Sequence, residues 1–204
     1  MCIRDRGKQA LMSEDLKRPG ELICALMDAG QAVLAIDAFL TGEYHPPDGN
    51  TQRNLEGRYP WTFYRTDTSL RAQDVITAVQ AAKALHLGAE INLVGVEEGG
   101  LWCLLARPFV GGVAATVVDI AGFGGTDEEY EKRLFVPLLR RVGDLRTAAA
   151  LCAPGRLMMH NLGAGLDTSW PREAYEAVGA ASNVRTLERP AATAEIVDWL
   201  GGRR

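Results

Sequence analysis

Apolar positions along this chain fall into two alternating kinds of segment. Short continuous runs occupy residues 31–37, 90–96, 113–119, 156–161 and 184–187, each bounded by glycine or by a polar turn. Runs of that length suit strands buried on both faces of a parallel sheet. Between them, apolar side chains recur at helical spacing. Leu22, Ile23, Leu26 and Met27 follow the opening Arg18-Pro19-Gly20 and stop at Gly30, and Leu70, Val75, Ile76 and Val79 mark a helix over 67–87. Thr126-Asp127-Glu128-Glu129 is a capping box that starts a helical region carrying Tyr130, Leu134, Leu138 and Leu139. Further helices are predicted near 144–152, 171–178 and 192–200. This alternation predicts the α/β class: a doubly wound, mostly parallel sheet with helices on both faces. Ligands of such sheets sit at the carboxyl ends of the strands. Asp37, Asp119 and His160 end three of the runs and should gather on that edge.

Residues 41–67 break the alternation. They read as a long loop with a turn cluster, Pro46-Pro47-Asp48-Gly49-Asn50, and an aromatic cluster, Tyr59-Pro60-Trp61-Thr62-Phe63-Tyr64. A loop this long in a compact domain is a covering or functional segment. Its aromatic cluster either pins it to the core or lines a pocket.

The most informative stretch is Val94-Gly95-Val96-Glu97-Glu98-Gly99-Gly100, where a strand-like run meets a helical one through glycines. That is the strand, sharp turn and helix order of the Gly-x-Ser-x-Gly nucleophile elbow. Gly95 and Gly99 hold the glycine positions, and Glu97 stands where the nucleophile belongs. Ser13, Ser69, Ser169 and Ser182 are the serines of the chain, and none lies in an elbow pattern.

Composition narrows the partners. The 204 residues carry a formal charge of −4, with 47% apolar and 24% charged side chains, as expected of one globular domain. Nothing resembles a basic stripe for nucleic acid or an apolar run long enough to span a bilayer. Cys2, Cys24, Cys103 and Cys152 show no Cys-x-x-Cys pairing, and Cys24 and Cys103 read as buried free thiols. His45, His86 and His160 are scattered without ligand spacing, so neither a metal nor another cofactor is expected.

From the strand ending Ala35-Ile36-Asp37, the helix ending over 78–85, the elbow, the 156–167 strand and loop, and the closing Asp198-Trp199-Leu200, the chain resembles an α/β-hydrolase of the acetyl-xylan-esterase and dienelactone-hydrolase type. The resemblance covers nearly everything after Gly7. It implies that Glu97 occupies the nucleophile position and that the Glu98 N–H is one oxyanion donor. A second donor is implied near Gly7, and Asp167 takes the acidic position. The family's histidine would fall in Glu188-Arg189-Pro190-Ala191-Ala192, where there is none. A serine triad needs an imidazole to take the nucleophile's proton. The favoured expectation is therefore a catalytically degenerate domain acting as a binding or structural module. The alternative is an active hydrolase of small esters or acetylated carbohydrate, with His160 serving as base beside Glu97 and Asp167. Met1-Cys2-Ile3-Arg4-Asp5-Arg6 resembles a translated library-adaptor sequence. Residues 1–6 are accordingly set outside the fold, and 7–204 are expected to form a single partial domain. Any leader would lie upstream of Gly7, and a family strand between 31–37 and the elbow strand would be missing.

Overall fold

The computed structural model describes residues 1–13, 15–45, 53, 62–87 and 90–202. Its elements in chain order are β1 (Cys2–Arg4), α1 (Glu21–Asp28), α2 (Asp67–Ala84), β2 (Ile91–Val96), α3 (Gly99–Ala106), β3 (Val113–Asp119), α4 (Asp127–Lys132), α5 (Asp144–Ala150), β4 (Arg156–His160), α6 (Ser169–Ala177), β5 (Val184–Thr186) and α7 (Thr193–Leu200). The five strands are parallel and lie in the order β1-β2-β3-β4-β5. The doubly wound α/β expectation is met.

Strand alternation divides the interior into two cores. Ile3, Leu93, Val118, Leu157 and Met159 face one side, with Val75, Val79, Trp102, Leu104, Leu145 and Tyr175 of the α2, α3, α5 and α6 layer. Cys2, Val94, Val117 and Met158 face the other, with Ile23 and Leu26 of α1 and Ile196 and Leu200 of α7. Two-residue periodicity puts successive side chains on opposite faces, so each central strand supplies both cores.

Several expectations need correction. Within the adaptor-like residues 1–6, Cys2, Ile3 and Arg4 pair with Val94, Gly95 and Val96 as the first strand of the sheet. β1 fills the place between 31–37 and the elbow strand that was expected to be empty. Residues 31–37 form no buried strand. They run extended along the outer edge of β1, half-buried, with a single bridge from Ala35 to Cys2. With no described strand on their other side, most of their backbone has no ladder partner. α4 ends at Lys132 instead of continuing to Leu139, since Pro137 has no N–H and disfavours helical backbone at Val136. Cys24 is exposed, while Cys2, Cys103 and Cys152 are buried, and all four are free. Phe63 and Tyr64 are exposed and do not anchor their loop. The turn cluster at 46–50 and residues 59–61 of the aromatic cluster lie outside the described residues.

Sheet order also locates a switch point. From β1 the chain steps outward to 33–36, then returns across β1 to begin β2 on the other side. The two connections diverge at the carboxyl ends of β1 and β2, which is where a doubly wound sheet opens a crevice. Arg4 and Asp5 leave β1 there, and Glu97 leaves β2.

Candidate active site

The elbow is built as its glycines require. Glu97 has φ 53°, a left-handed conformation that is strained for a side chain of this size. A Cβ on Gly95 would stand 2.5 Å from the Gly100 Cα, and one on Gly99 would stand 2.8 Å from the Ile3 carbonyl oxygen. A Cβ on Gly100 would collide with the backbone of Asp119. Absent side chains therefore let α3 press onto β1, β2 and β3 while Glu97 is carried on the tip.

Glu97 is held tightly there. Arg4 Nη2 donates to Oε1 at 2.6 Å and Arg4 Nε donates to Oε2 at 3.2 Å, a fork across both carboxylate oxygens, and Arg6 approaches Oε1 at 3.4 Å. The Arg4 guanidinium, helped by a hydrogen bond from Asp5 and the charge of Arg6, lowers the Glu97 carboxyl to about 2. Asp5 moves the opposite way. Burial, and then its hydrogen bond to Glu97, raise its carboxyl to about 6. Two neighbouring carboxyls whose environments drive them apart share one proton, on Asp5, only between about pH 2 and pH 6. Near neutral pH Glu97 is ionised and Asp5 keeps its proton in a minor fraction of molecules.

The other sequence candidates do not assemble around Glu97. His160 ends β4, with β3 lying between it and β2, so the two backbones stand roughly 10 Å apart at the usual strand spacing. Its imidazole is 5% exposed, lies on the same sheet face as Met158, and leaves Nδ1 without a partner. Burial lowers its pKa, against the charges of Asp119 and Glu195. Asp167 is exposed; it accepts the Ser169 N–H at 2.9 Å and lies 3.8 Å from Arg146. The Ser169 N–H draws its carboxyl below the ordinary range. No hydrogen bond links Glu97, His160 and Asp167 among the described residues.

Of the two expected oxyanion donors, only one is free. The Glu98 N–H, at the N-cap of α3, has no protein acceptor among the described residues, and the Glu98 carboxylate is bound by Arg133 at 2.7 Å. The Gly7 N–H donates to the Arg4 carbonyl at 3.0 Å, and the Lys8 N–H donates to Asp37 Oδ1 at 2.6 Å. The Gly7 N–H is thus occupied within a turn in this structure. Asp37 has a structural task, since its Oδ2 also accepts from Lys8 Nζ at 2.9 Å and from the Glu43 N–H at 3.1 Å. Asp119 is likewise occupied by the Asn161 amide at 2.8 Å and the Ala121 N–H at 2.7 Å. Where the family's histidine would lie, Arg189 clasps Glu195 at 2.8 and 3.0 Å, and its carbonyl accepts the Asn161 N–H. Sequence reasoning missed Arg4 and Asp5, whose link to Glu97 spans more than ninety positions and leaves no local signal.

Among the described residues, no group of three His, Cys, Asp or Glu side chains could hold a metal ion, and no helix is long and apolar enough to cross a membrane. No protein-family model matches the chain, and no curated protein matches it by sequence. Similar solved structures do exist. One is the crystal structure of a candidate acetyl xylan esterase from Bacteroides fragilis NCTC 9343, with a TM-score of 0.64 and 16% identity. That match covers 91% of this chain and 57% of the other, so this chain spans little more than half of its neighbour's length. A carbohydrate esterase family 15 glucuronoyl esterase from Caldicellulosiruptor kristjansonii is also similar, with a TM-score of 0.46, 16% identity, and coverage of 67% of this chain and 50% of that one. The parallel sheet, the helices on its two faces and the first of these likenesses together establish a doubly wound α/β-hydrolase-like fold.

Proposed function

We propose that this domain retains the esterase frame with a silent elbow, and acts as a binding or structural module. The observation that carries this reading is the state of Glu97. A carboxylate with both oxygens on the Arg4 fork and a pKa of about 2 is a poor base and a poor nucleophile at neutral pH. Attack on an ester would also yield an anhydride, without the imidazole that lets an acyl-serine turn over. What remains is one oxyanion-type donor at Glu98 and the crevice between β1 and β2.

A second reading rests on Asp5. A carboxyl raised to about 6 beside an ionised Glu97 is a general-acid and carboxylate arrangement, suited in principle to hydrolysis of a small ester or acetylated carbohydrate. His160 and Asp167 take no part in it. Turnover of a chromogenic acetate ester separates the two readings when the native chain is compared with Glu97→Gln and Asp5→Asn. Equal, buffer-level rates for all three support the silent elbow. Saturable turnover that disappears in either variant would refute it.

A further inference from the structure

A cavity of about 400 Å³ opens beside the elbow, lined by Thr66, Asp67, Thr68 and Arg71 of α2 and its cap, and by residues 131–133 and Phe135. Its charges are mostly spoken for. Asp67 is bound by Arg53 at 2.6 Å, Lys132 by Glu128 at 2.5 Å, and Arg133 by Glu98 at 2.7 Å and Glu129 at 3.2 Å. Glu131 is exposed to solvent. Arg71 is the exception. Its Nε donates to the Phe39 carbonyl at 3.0 Å and its Cζ lies 4.7 Å from the centre of the buried Trp102 ring. No carboxylate pairs with it and its two Nη groups have no acceptor among the described residues. Burial lowers its pKa, against the nearby charges of Asp67, Glu98 and Asp5, none of which makes a direct ion pair with it.

A guanidinium fixed at Nε and placed over an indole leaves one edge, formed by its two Nη groups, without an acceptor among the described residues. That edge matches the two oxygens of a carboxylate. We propose that this cavity binds a small organic carboxylate, held end-on by Arg71 beside the Arg133–Glu98 pair. The cavity falls within the size range of small-molecule sites. This assignment does not depend on Glu97 chemistry and stands whether or not esters are turned over.

The test is calorimetric titration of the full chain with acetate, benzoate, succinate and galacturonate, against benzamide, succinamide and inorganic phosphate. Tryptophan fluorescence serves as a second readout, since Arg71 covers Trp102. At least one carboxylate should saturate while the amides do not. Arg71→Gln should weaken that binding roughly ten- to a hundredfold, the value of a charge-assisted hydrogen bond. Arg71→Lys, which keeps the charge and loses the fork, should fall between. Arg141→Gln, at an exposed arginine that does not line the cavity, should match the native chain. If Arg71→Gln fails to fold by circular dichroism, Arg71→Lys decides the matter: weakened binding supports the site and native affinity overturns it. The proposal is also overturned if none of the four carboxylates saturates, if folded Arg71 variants bind as tightly as the native chain, or if phosphate binds more tightly than every carboxylate.

Discussion

Separating Arg4 from Glu97 should cost the fold measurable stability, and the cost should vanish in acid. Lowering the Glu97 carboxyl from its ordinary 4.5 to about 2 corresponds to about 3.4 kcal/mol at 1.36 kcal/mol per pH unit. The Glu97 side chain is 36% exposed, so solvent screening reduces this to about 1–2 kcal/mol. Arg4→Gln alone overstates the pair, because Arg4 Nη1 also donates to the Ala10 carbonyl. The double-mutant cycle of Arg4→Gln, Glu97→Gln and both removes that contribution. Urea unfolding at pH 7 should give a coupling of about 1–2 kcal/mol. Because the folded pKa is depressed, this stability is fully present above pH 4.5 and is lost as pH falls through the folded value near 2. About two-fifths of it should remain at pH 3, and little at pH 2. In Glu97→Gln the Asp5 carboxyl should move down from about 6, though burial keeps it above the ordinary value. A coupling below about 0.3 kcal/mol at pH 7, the level of an unremarkable surface pair, would show that the fork does not hold Glu97. A coupling unchanged at pH 2 would refute the electrostatic account itself.

Other substitutions probe the frame around the elbow. Gly100→Ala drives a methyl group into the Asp119 backbone and should cost about 3 kcal/mol or more, read as a fall in urea midpoint; a midpoint within error of native would mean that α3 does not pack as described. Asp37→Asn weakens the three hydrogen bonds from Lys8 and Glu43 and should cost about 1–3 kcal/mol. Although burial pushes the Asp37 carboxyl upward, these donors hold it below its usual range, so its contribution is present above the unfolded value and fades as the solution is acidified. Ellman's reagent should modify Cys24 alone in the native chain and all four thiols in denaturant. Cys2, Cys103 and Cys152 are buried, and burial raises the Cys152 thiol to about 12; rapid native modification of a second thiol would place one of them at the surface.

The fold was legible because its signals are local. Short apolar runs at 113–119 and 156–161 and the Thr126 capping box depend on neighbours a few residues away, and each formed close to where the pattern put it. The elbow was legible for the same reason, since Gly95, Gly99 and Gly100 report tight backbone approaches directly. What stayed hidden was pairing between distant positions. Arg4 meets Glu97 across the β1–β2 ladder, and nothing in the composition of Cys2-Ile3-Arg4 announces a strand three residues long. Residues 31–37 show the reverse error. Their apolar run is as good as that of β3, but burial depends on what lies beyond the sheet edge, which a local pattern does not record. His160 ends on the predicted edge of the sheet, yet strand alternation puts its ring on the face of Met158.

The position of β1 also bears on the order in which this chain folds. β2 and β3 are joined by α3 and a short connection, so their pairing closes a loop of about twenty residues. β1 instead joins β2 across some ninety residues, with the Val94 N–H donating to the Met1 carbonyl. Closing the longer loop costs about 1.3 kcal/mol more by the logarithmic rule, and only three residues of ladder offset it. The β1 contact is therefore expected to form late, after the central strands have set the backbone of the elbow. In pulse-labelled refolding, the Val94 amide should gain protection after those at the β3–β4 interface. Glu97 would then take its strained conformation before Arg4 arrives to neutralise it, and the crevice would be the last part of the molecule to become itself.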